Sequence, residues 1–213
     1  HIQTAYTDAD GLTQLAQRCV AVTTEFENVP AQSLAALAQT VTVSPAADCV
    51  AISQDRAREK SYFANCGVPV APYAVIETAE QLAAVVGDLS AAPGRPKQAS
   101  APLGGSEVHA VTSMGADLFP GILKTSRMGY DGKGQARVAD RAALAAAWAA
   151  LNGVPCVLEK MLPLQLECSV IVARGADGAC VNLPVQRNLH RDGILAVTEV
   201  YEGNLPPALV ERA

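Results

Sequence analysis

Two patterns in the sequence predict a chain that is α/β in its first part and α+β, with antiparallel strands, in its second. Residues 12–43 alternate helix-like and strand-like stretches, the pattern of a parallel sheet with helical crossovers. Residues 166–173 alternate, and the Asp-Gly pairs at 177–178 and 192–193 follow, as in strands joined by hairpins.

The first helix covers residues 12–18 and gives way to Val20-Ala21-Val22-Thr23-Thr24. Pro30 lacks the N–H that a helix start leaves unbonded, so it can open an Ala/Leu helix to Gln39, and Val41-Thr42-Val43 follows as a strand. These elements read as the latter half of a Rossmann-like sheet. Val20, Val22, Val41 and Val43 are then expected to lack the cover that earlier strands would give. Residues 54–66 read as one helix, stopped by Gly67 in the C′ position, with Pro69 and Pro72 preventing its resumption. Thr78 and Gln81 form a capping box for a helix carrying Leu82, Val85 and Val86. Residues 91–117 are rich in Gly, Pro, Ala and Ser without periodicity, and read as a mobile, dispensable insertion. The apolar strand Gly121-Ile122-Leu123 ends in Lys124, and a short strand at Ala136-Arg137-Val138 follows. Asp140 caps a helix to Leu151, and Cys156-Val157-Leu158-Glu159 is the next strand. Residues 166–173 alternate, placing Glu167, Ser169 and Ile171 on one face and Leu166, Cys168, Val170 and Val172 on the other. Asp177-Gly178 and Asp192-Gly193 mark hairpin turns.

With 213 residues, half of them hydrophobic and 17% charged, the chain can build one substantial core or two small ones. A net charge of −5 gives no broad attraction for nucleic acid or an anionic membrane, so any phosphate binding must be local. The six cysteines form no C-x-x-C pair and have no histidine at zinc spacing. Their apolar neighbours suggest buried thiols in a reducing cytoplasm. The sequence has no run of eighteen apolar residues.

Lys124 is the residue with the clearest chemistry. It ends an apolar strand just before Gly129-Tyr130-Asp131-Gly132-Lys133-Gly134-Gln135, where the glycines would let backbone N–H groups approach phosphate oxygens. Such a loop can equally be a tight turn. It is not a Walker loop, because Gly132-Lys133-Gly134-Gln135 leads into a strand and lacks the Ser or Thr that opens a helix. The dinucleotide fingerprint is absent too, since no strand, glycine turn and helix occur in that order. Taken alone, Arg56 is a helix-surface charge, Glu159 a strand-end acid, Glu167 a charge on an open sheet face and His190 a hydrogen-bonded structural histidine. An apolar strand ending in Lys at a glycine loop instead leaves an ammonium in need of an anion, which favours phosphate over solvent for Lys124. Asp131 would repel phosphates, so Tyr130 and Asp131 point to a second ligand.

Five segments occur in one order: Thr24-Glu25-Phe26-Glu27-Asn28-Val29-Pro30; Gln54-Asp55-Arg56 through Glu59-Lys60; Gly67-Val68-Pro69-Val70-Ala71-Pro72; the Lys124 loop; and Asn188-Leu189-His190-Arg191-Asp192-Gly193. Together they resemble the 5-(carboxyamino)imidazole ribonucleotide synthases, ATP-grasp enzymes of purine biosynthesis. The resemblance implies an ATP-grasp fold preceded by the latter half of a Rossmann-like pre-ATP-grasp domain. Residues 1–72 would end that first domain, 73–159 would be the lid subdomain with the inserted loop 91–117, and 160–213 would begin the C-terminal subdomain. It also implies that the chain is an internal piece of a longer enzyme.

By the same resemblance, ATP is held by Arg56, Lys124, the loop Gly129, Tyr130, Asp131, Gly132, Lys133, Gly134 and Gln135, the connector Glu159, Lys160, Met161 and Leu162, and Glu167 and His190. The connector would read adenine, with Glu167 binding the ribose. Tyr130, Asp131 and Lys133 would face 5-aminoimidazole ribonucleotide. The implied reaction joins bicarbonate to that ribonucleotide through carboxyphosphate at the expense of ATP, with Mg²⁺ held by residues past Ala213. A cytoplasmic homodimer is implied for the full-length enzyme, with no nucleic-acid or membrane partner. A formate-dependent glycinamide ribonucleotide transformylase, a biotin-carboxylase-like ligase and a non-catalytic nucleotide-binding fragment are the alternatives, against the first two of which Tyr130-Asp131 and Asn188-Leu189-His190 argue.

Overall fold

The computed structural model describes residues 1–87, 117–129, 133–191 and 193–213. The expected insertion at 91–117 lies outside the described residues except for Asp117, as do Tyr130, Asp131, Gly132 and Asp192. The chain divides into two compact units, one formed by 1–129 with 134–161 and the other by 130–133 with 162–213.

In the first unit, helix α1 (Ala9–Arg18) starts at Asp8, whose Oδ2 accepts from the Gly11 N–H at 2.7 Å. Strands β1 (Ala21–Val22) and β2 (Thr42–Val43) pair in parallel across helix α2 (Ala31–Leu37). This is the expected βαβ crossover. Val20 is 96% exposed, whereas Val22, Val41 and Val43 are partly buried, so the uncovered apolar surface is smaller than the sequence suggests.

The helix expected at 54–66 is present but begins at Arg56, and a helix not expected from the sequence precedes it. Helices α3 (Ala47–Ser53) and α4 (Arg56–Asn65) meet at Asp55, whose Oδ1 accepts from the N–H groups of Ala57 at 3.0 Å and Arg58 at 3.3 Å. That side chain satisfies two otherwise unbonded donors and starts a new helix. Gln54 is drawn away, its buried Nε2 donating to the carbonyls of Glu27 at 2.7 Å and Val29 at 2.6 Å. No side chain caps α3, which left its start without a sequence signal. Helix α4 ends as expected, with Gly67 at φ +75°.

Strand β3 (Tyr73–Ile76) and helix α5 (Ala79–Val86) follow, and both bonds of the Thr78–Gln81 capping box are present. Strands β4 (Gly121–Thr125) and β5 (Gln135–Val138), helix α6 (Arg141–Ala150) and strand β6 (Cys156–Lys160) complete the unit. The four-stranded sheet has the order β3-β6-β4-β5 and is antiparallel throughout. On one face Ala74, Ile76, Leu123, Val138, Cys156 and Leu158 form a buried core with Leu144 of α6, against which Leu82 and Val85 of α5 also pack. Tyr73, Val75 and Val157 form a second cluster with Ala57 of α4. The sheet is therefore covered on both faces, and the face under α4 carries the site.

The second unit is thinner. Strands β7 (Glu167–Ser169), β10 (Gln186–Arg191) and β11 (Ile194–Glu199) form an antiparallel sheet, while β8 (Val172–Arg174) and β9 (Cys180–Asn182) form a separate hairpin. The single alternating strand expected at 166–173 is thus two strands with different partners. The Asp177-Gly178 turn accounts for the split by folding β8 onto β9, with Asp177 Oδ1 accepting from the Ala179 N–H at 3.0 Å and Gly178 at φ +84°. Helix α7 (Pro207–Arg212), which the sequence reading did not include, closes the unit.

The cysteines correct another expectation. Only Cys156 is buried; Cys19 is intermediate, and Cys49, Cys66, Cys168 and Cys180 are exposed. Apolar neighbours in sequence do not fix which way a side chain points, and for most of these thiols that direction is toward solvent. Burial pushes the Cys156 thiol up to about 11. Among the described residues, no helix is long and apolar enough to cross a membrane.

Candidate functional site

The sheet register dictates which side chains share a face with α4. Tyr73, Glu159 and Ile122 lie opposite one another across β3, β6 and β4, as do Val75, Val157 and Lys124 two residues along. The strand period of two therefore places Glu159 and Lys124 on the face that carries Tyr73, Val75 and Val157. Helix α4 covers that face through Ala57, and Lys60 lies about one turn further along the helix.

These placements bring two ammonium groups onto one carboxylate oxygen. Glu159 Oε2 is 3.2 Å from Lys124 Nζ and 3.3 Å from Lys60 Nζ, and the side chains are only 14%, 24% and 13% exposed respectively. Lys60 Nζ also lies 5.4 Å from the centre of the Tyr73 ring, within range of a cation–π attraction. One carboxylate neutralises one ammonium, so this partly buried trio carries a surplus positive charge. Beside it, burial raises the Glu59 carboxyl above its ordinary range, an effect opposed by Arg56 and Lys60 and reinforced by Glu159 and Glu27.

Arg56, the first residue of α4, is held at the end of β4. Its N–H donates to the Ser126 carbonyl at 2.9 Å and its Nε to the Thr125 carbonyl at 3.2 Å. Arg56 and Lys124 are thereby fixed to the same strand end. The glycine loop leaves from there: the Thr125 N–H donates to the Gly134 carbonyl at 2.8 Å, and Gln135 pairs with Lys124. Gly134 sits at φ +70°, and a Cβ there would lie 2.7 Å from Thr125 Oγ1, so the close return of the loop requires glycine. Gly129 is partly buried at the start of the loop, and Lys133 is exposed.

In the connector, the N–H groups of Lys160 and Met161 donate to the carbonyls of Pro72 and Pro120, each at 2.9 Å, and Lys160 Nζ donates to the Asp117 carbonyl at 2.6 Å. Those two backbone donors are bonded within the protein. Met161 and Leu162 are 36% and 42% exposed and present apolar surface.

In the second unit, Glu167 and His190 meet on one sheet face, where His190 Nδ1 lies 2.6 Å from Glu167 Oε2. Glu167 lies opposite Asn188 in the register, whose Nδ2 donates to Ser169 Oγ at 3.0 Å and whose Oδ1 accepts from Thr198 Oγ1 at 3.2 Å. The register between β10 and β11 shifts between Leu189 and His190, from Leu189↔Val197 to His190↔Leu195. Ala196 is therefore the extra residue of a bulge, which bends the strand where His190 reaches Glu167. Asn188 belongs to the Asn-Leu-His block, but its polar links were not assigned from sequence, and neither was the role of Lys60. The opposing positions on β7, β10 and β11 were the missing information.

Known proteins match the sequence and fold over nearly all of this chain. A family model for the ATP-grasp domain matches residues 106–211, and one for the ribonucleotide synthetase preATP-grasp domain matches residues 1–54. The chain is 35% identical over 211 residues to N5-carboxyaminoimidazole ribonucleotide synthase of Pseudomonas aeruginosa, covering 99% of this chain and 51% of the relative. The chain belongs to the N5-carboxyaminoimidazole ribonucleotide synthase family of ATP-grasp proteins. The synthase of Brucella melitensis is 36% identical over 201 residues, covering 93% of this chain and 48% of the relative. The Staphylococcus aureus synthetase structure complexed with ADP superposes with a TM-score of 0.76 at 28% identity, covering 99% of this chain and 49% of that one. The Thermus thermophilus synthetase gives a TM-score of 0.75 at 27% identity, with the same coverage. The chain thus spans about half the length of the N5-carboxyaminoimidazole ribonucleotide synthases it matches.

Proposed function

We propose that the protein is an ATP-dependent carbon–nitrogen ligase that carboxylates 5-aminoimidazole ribonucleotide with bicarbonate in purine biosynthesis. The observation that carries this reading is the surplus cation of the Lys60–Glu159–Lys124 trio at the foot of a glycine loop, in a chain similar to such synthases over 99% of its length. Lys124 and Arg56 would neutralise nucleotide phosphates, and the loop from Gly129 through Gln135 would close over them. The apolar surface of Met161 and Leu162 would flank adenine, and Glu167, oriented by His190, would accept from a ribose hydroxyl. Tyr130, Asp131 and Lys133 would face the aminoimidazole ribonucleotide. The ADP complex of the S. aureus relative supports the nucleotide part of the reading.

Bicarbonate oxygen would attack the γ-phosphorus while the bond to the departing ADP oxygen breaks, giving carboxyphosphate. Its breakdown to phosphate and carbon dioxide would leave the carbon beside the exocyclic amine, which forms the new N–C bond and loses a proton. The chain's part is positioning, charge neutralisation and exclusion of water. When bound, Mg²⁺ would supply neutralisation of phosphate charge. Among the described residues no group of three His, Cys, Asp or Glu side chains could hold a metal, and none is assigned that role. A full-length homodimer in the cytoplasm belongs to the same reading. ATP consumption by the full-length protein tests it: 5-aminoimidazole ribonucleotide should stimulate bicarbonate-dependent turnover and glycinamide ribonucleotide should not. The reverse preference would overturn it.

A further inference from the structure

We propose that Lys60 is a positioning residue that holds the Glu159 carboxylate so that Lys124 can be given up to a nucleotide phosphate; this rests on the nucleotide reading above. Both ammoniums contact the same Glu159 oxygen, at 3.2 and 3.3 Å, but they are held differently. Lys60 is 13% exposed, stands on a helix fixed at its start by Asp55 and Arg56, and lies over the Tyr73 ring. Lys124 is the more exposed of the two, on the strand end from which the glycine loop departs. Lys124 is therefore the cation that can turn toward a ligand.

Turning it away has a cost. A carboxylate only 14% exposed that loses its counter-charge is strongly disfavoured, and Glu159 would otherwise compete with phosphate for Lys124. The second ammonium removes that competition, because Glu159 stays paired while Lys124 moves. Two lysines on one oxygen thus act as an exchange pair, one fixed and one deliverable.

The test is ADP affinity of the full-length protein by calorimetry, with circular dichroism to establish folding. Lys60→Met should weaken ADP about tenfold, and Lys60→Arg should retain most of the affinity. Glu159→Gln should bind ADP more tightly than the parent, because the neutral amide releases Lys124. The double variant Lys60→Met/Glu159→Gln should recover the affinity that Lys60→Met loses. A purely structural role for Lys60 predicts instead that the double variant binds no better than Lys60→Met. That result overturns the proposal, and weaker binding by Glu159→Gln overturns it even if Lys60→Met fails to fold. An unaltered affinity in Lys124→Met overturns the nucleotide reading and this proposal together. Loss in Lys124→Met with none in Lys60→Met overturns only the role of Lys60.

Discussion

The two units place a carboxylate beside a basic side chain in different surroundings. Glu159 and its lysines sit on a sheet covered on both faces, with side chains 13% to 24% exposed. Glu167 and His190 sit on a three-stranded sheet whose large apolar residues Leu189, Leu195 and Val197 are 50%, 50% and 42% exposed, and the pair itself is 45% and 34% exposed. Water screens the second pair and is largely kept from the first. A carboxylate should therefore be linked to folding and charge balance in the first unit, and mainly to ligand contact in the second.

The largest difference should be in the sheets themselves. Leu158→Ala, at a side chain with no exposed surface, should destabilise by about 2 to 5 kcal/mol in denaturant unfolding. Leu195→Ala, half exposed, should change stability by about 0.5 kcal/mol or less. Equal losses would break the comparison, by meaning that other parts of the full-length protein cover the second sheet.

Lys124→Met should come next, weakening ADP binding by about ten- to a hundredfold, the loss of a charge-assisted contact of roughly 1.5 to 3 kcal/mol. Calorimetry on the full-length protein measures it. Because Glu159 keeps Lys60 at 3.3 Å, the fold should survive this substitution.

A smaller effect belongs to Glu59. Its raised pKa, caused first by burial, means that the folded chain holds the proton at a pH where the unfolded chain, titrating near 4.5, has released it. The stability this contributes is fully present below 4.5 and is lost as pH rises through the folded pKa. Glu59→Gln, neutral in both states, should flatten the pH dependence in that window and leave the protein more stable than the parent above it. A series of unfolding curves from pH 4 to 8 would show this; an unchanged slope would mean that Arg56 and Lys60 cancel the burial effect.

Much of this architecture was legible because it depends on local chemistry. The Thr78–Gln81 box, Asp140, Gly67 and the Asp177-Gly178 turn each announce an element end through groups a few residues apart. Lys124 was legible for the same reason, as a charge ending an apolar strand at a glycine loop. What the sequence could not give was long-range register. Lys60 meets Glu159 across 99 positions (159 − 60) only because α4 lies over β6, and Asn188 reaches both Ser169 and Thr198 only through a three-stranded sheet. Helix α3 was not legible because no side chain caps its start, and the Asp55 cap places the start of α4 two residues past the Gln54 expected.

Glu167→Gln should have the smallest effect on stability, and it bears most directly on the difference between the units. The pair is short at 2.6 Å, but its side chains are more than a third exposed on average, and even a charged pair so exposed contributes about 0 to 1 kcal/mol. The amide can still accept from His190 Nδ1, and Asn188 keeps its bonds to Ser169 and Thr198, so the sheet should hold. Nucleotide affinity should nevertheless fall if Glu167 is the ribose acceptor, because an amide oxygen is a weaker partner for a hydroxyl than a carboxylate. ADP and inorganic pyrophosphate, compared by calorimetry, separate the possibilities. Weakened ADP with unaltered pyrophosphate places Glu167 at the nucleoside. Equal weakening of both would mean that the residue acts on the phosphates or on the fold, and a large loss of stability would mean that Glu167 is far better shielded from water than its exposed sheet face allows.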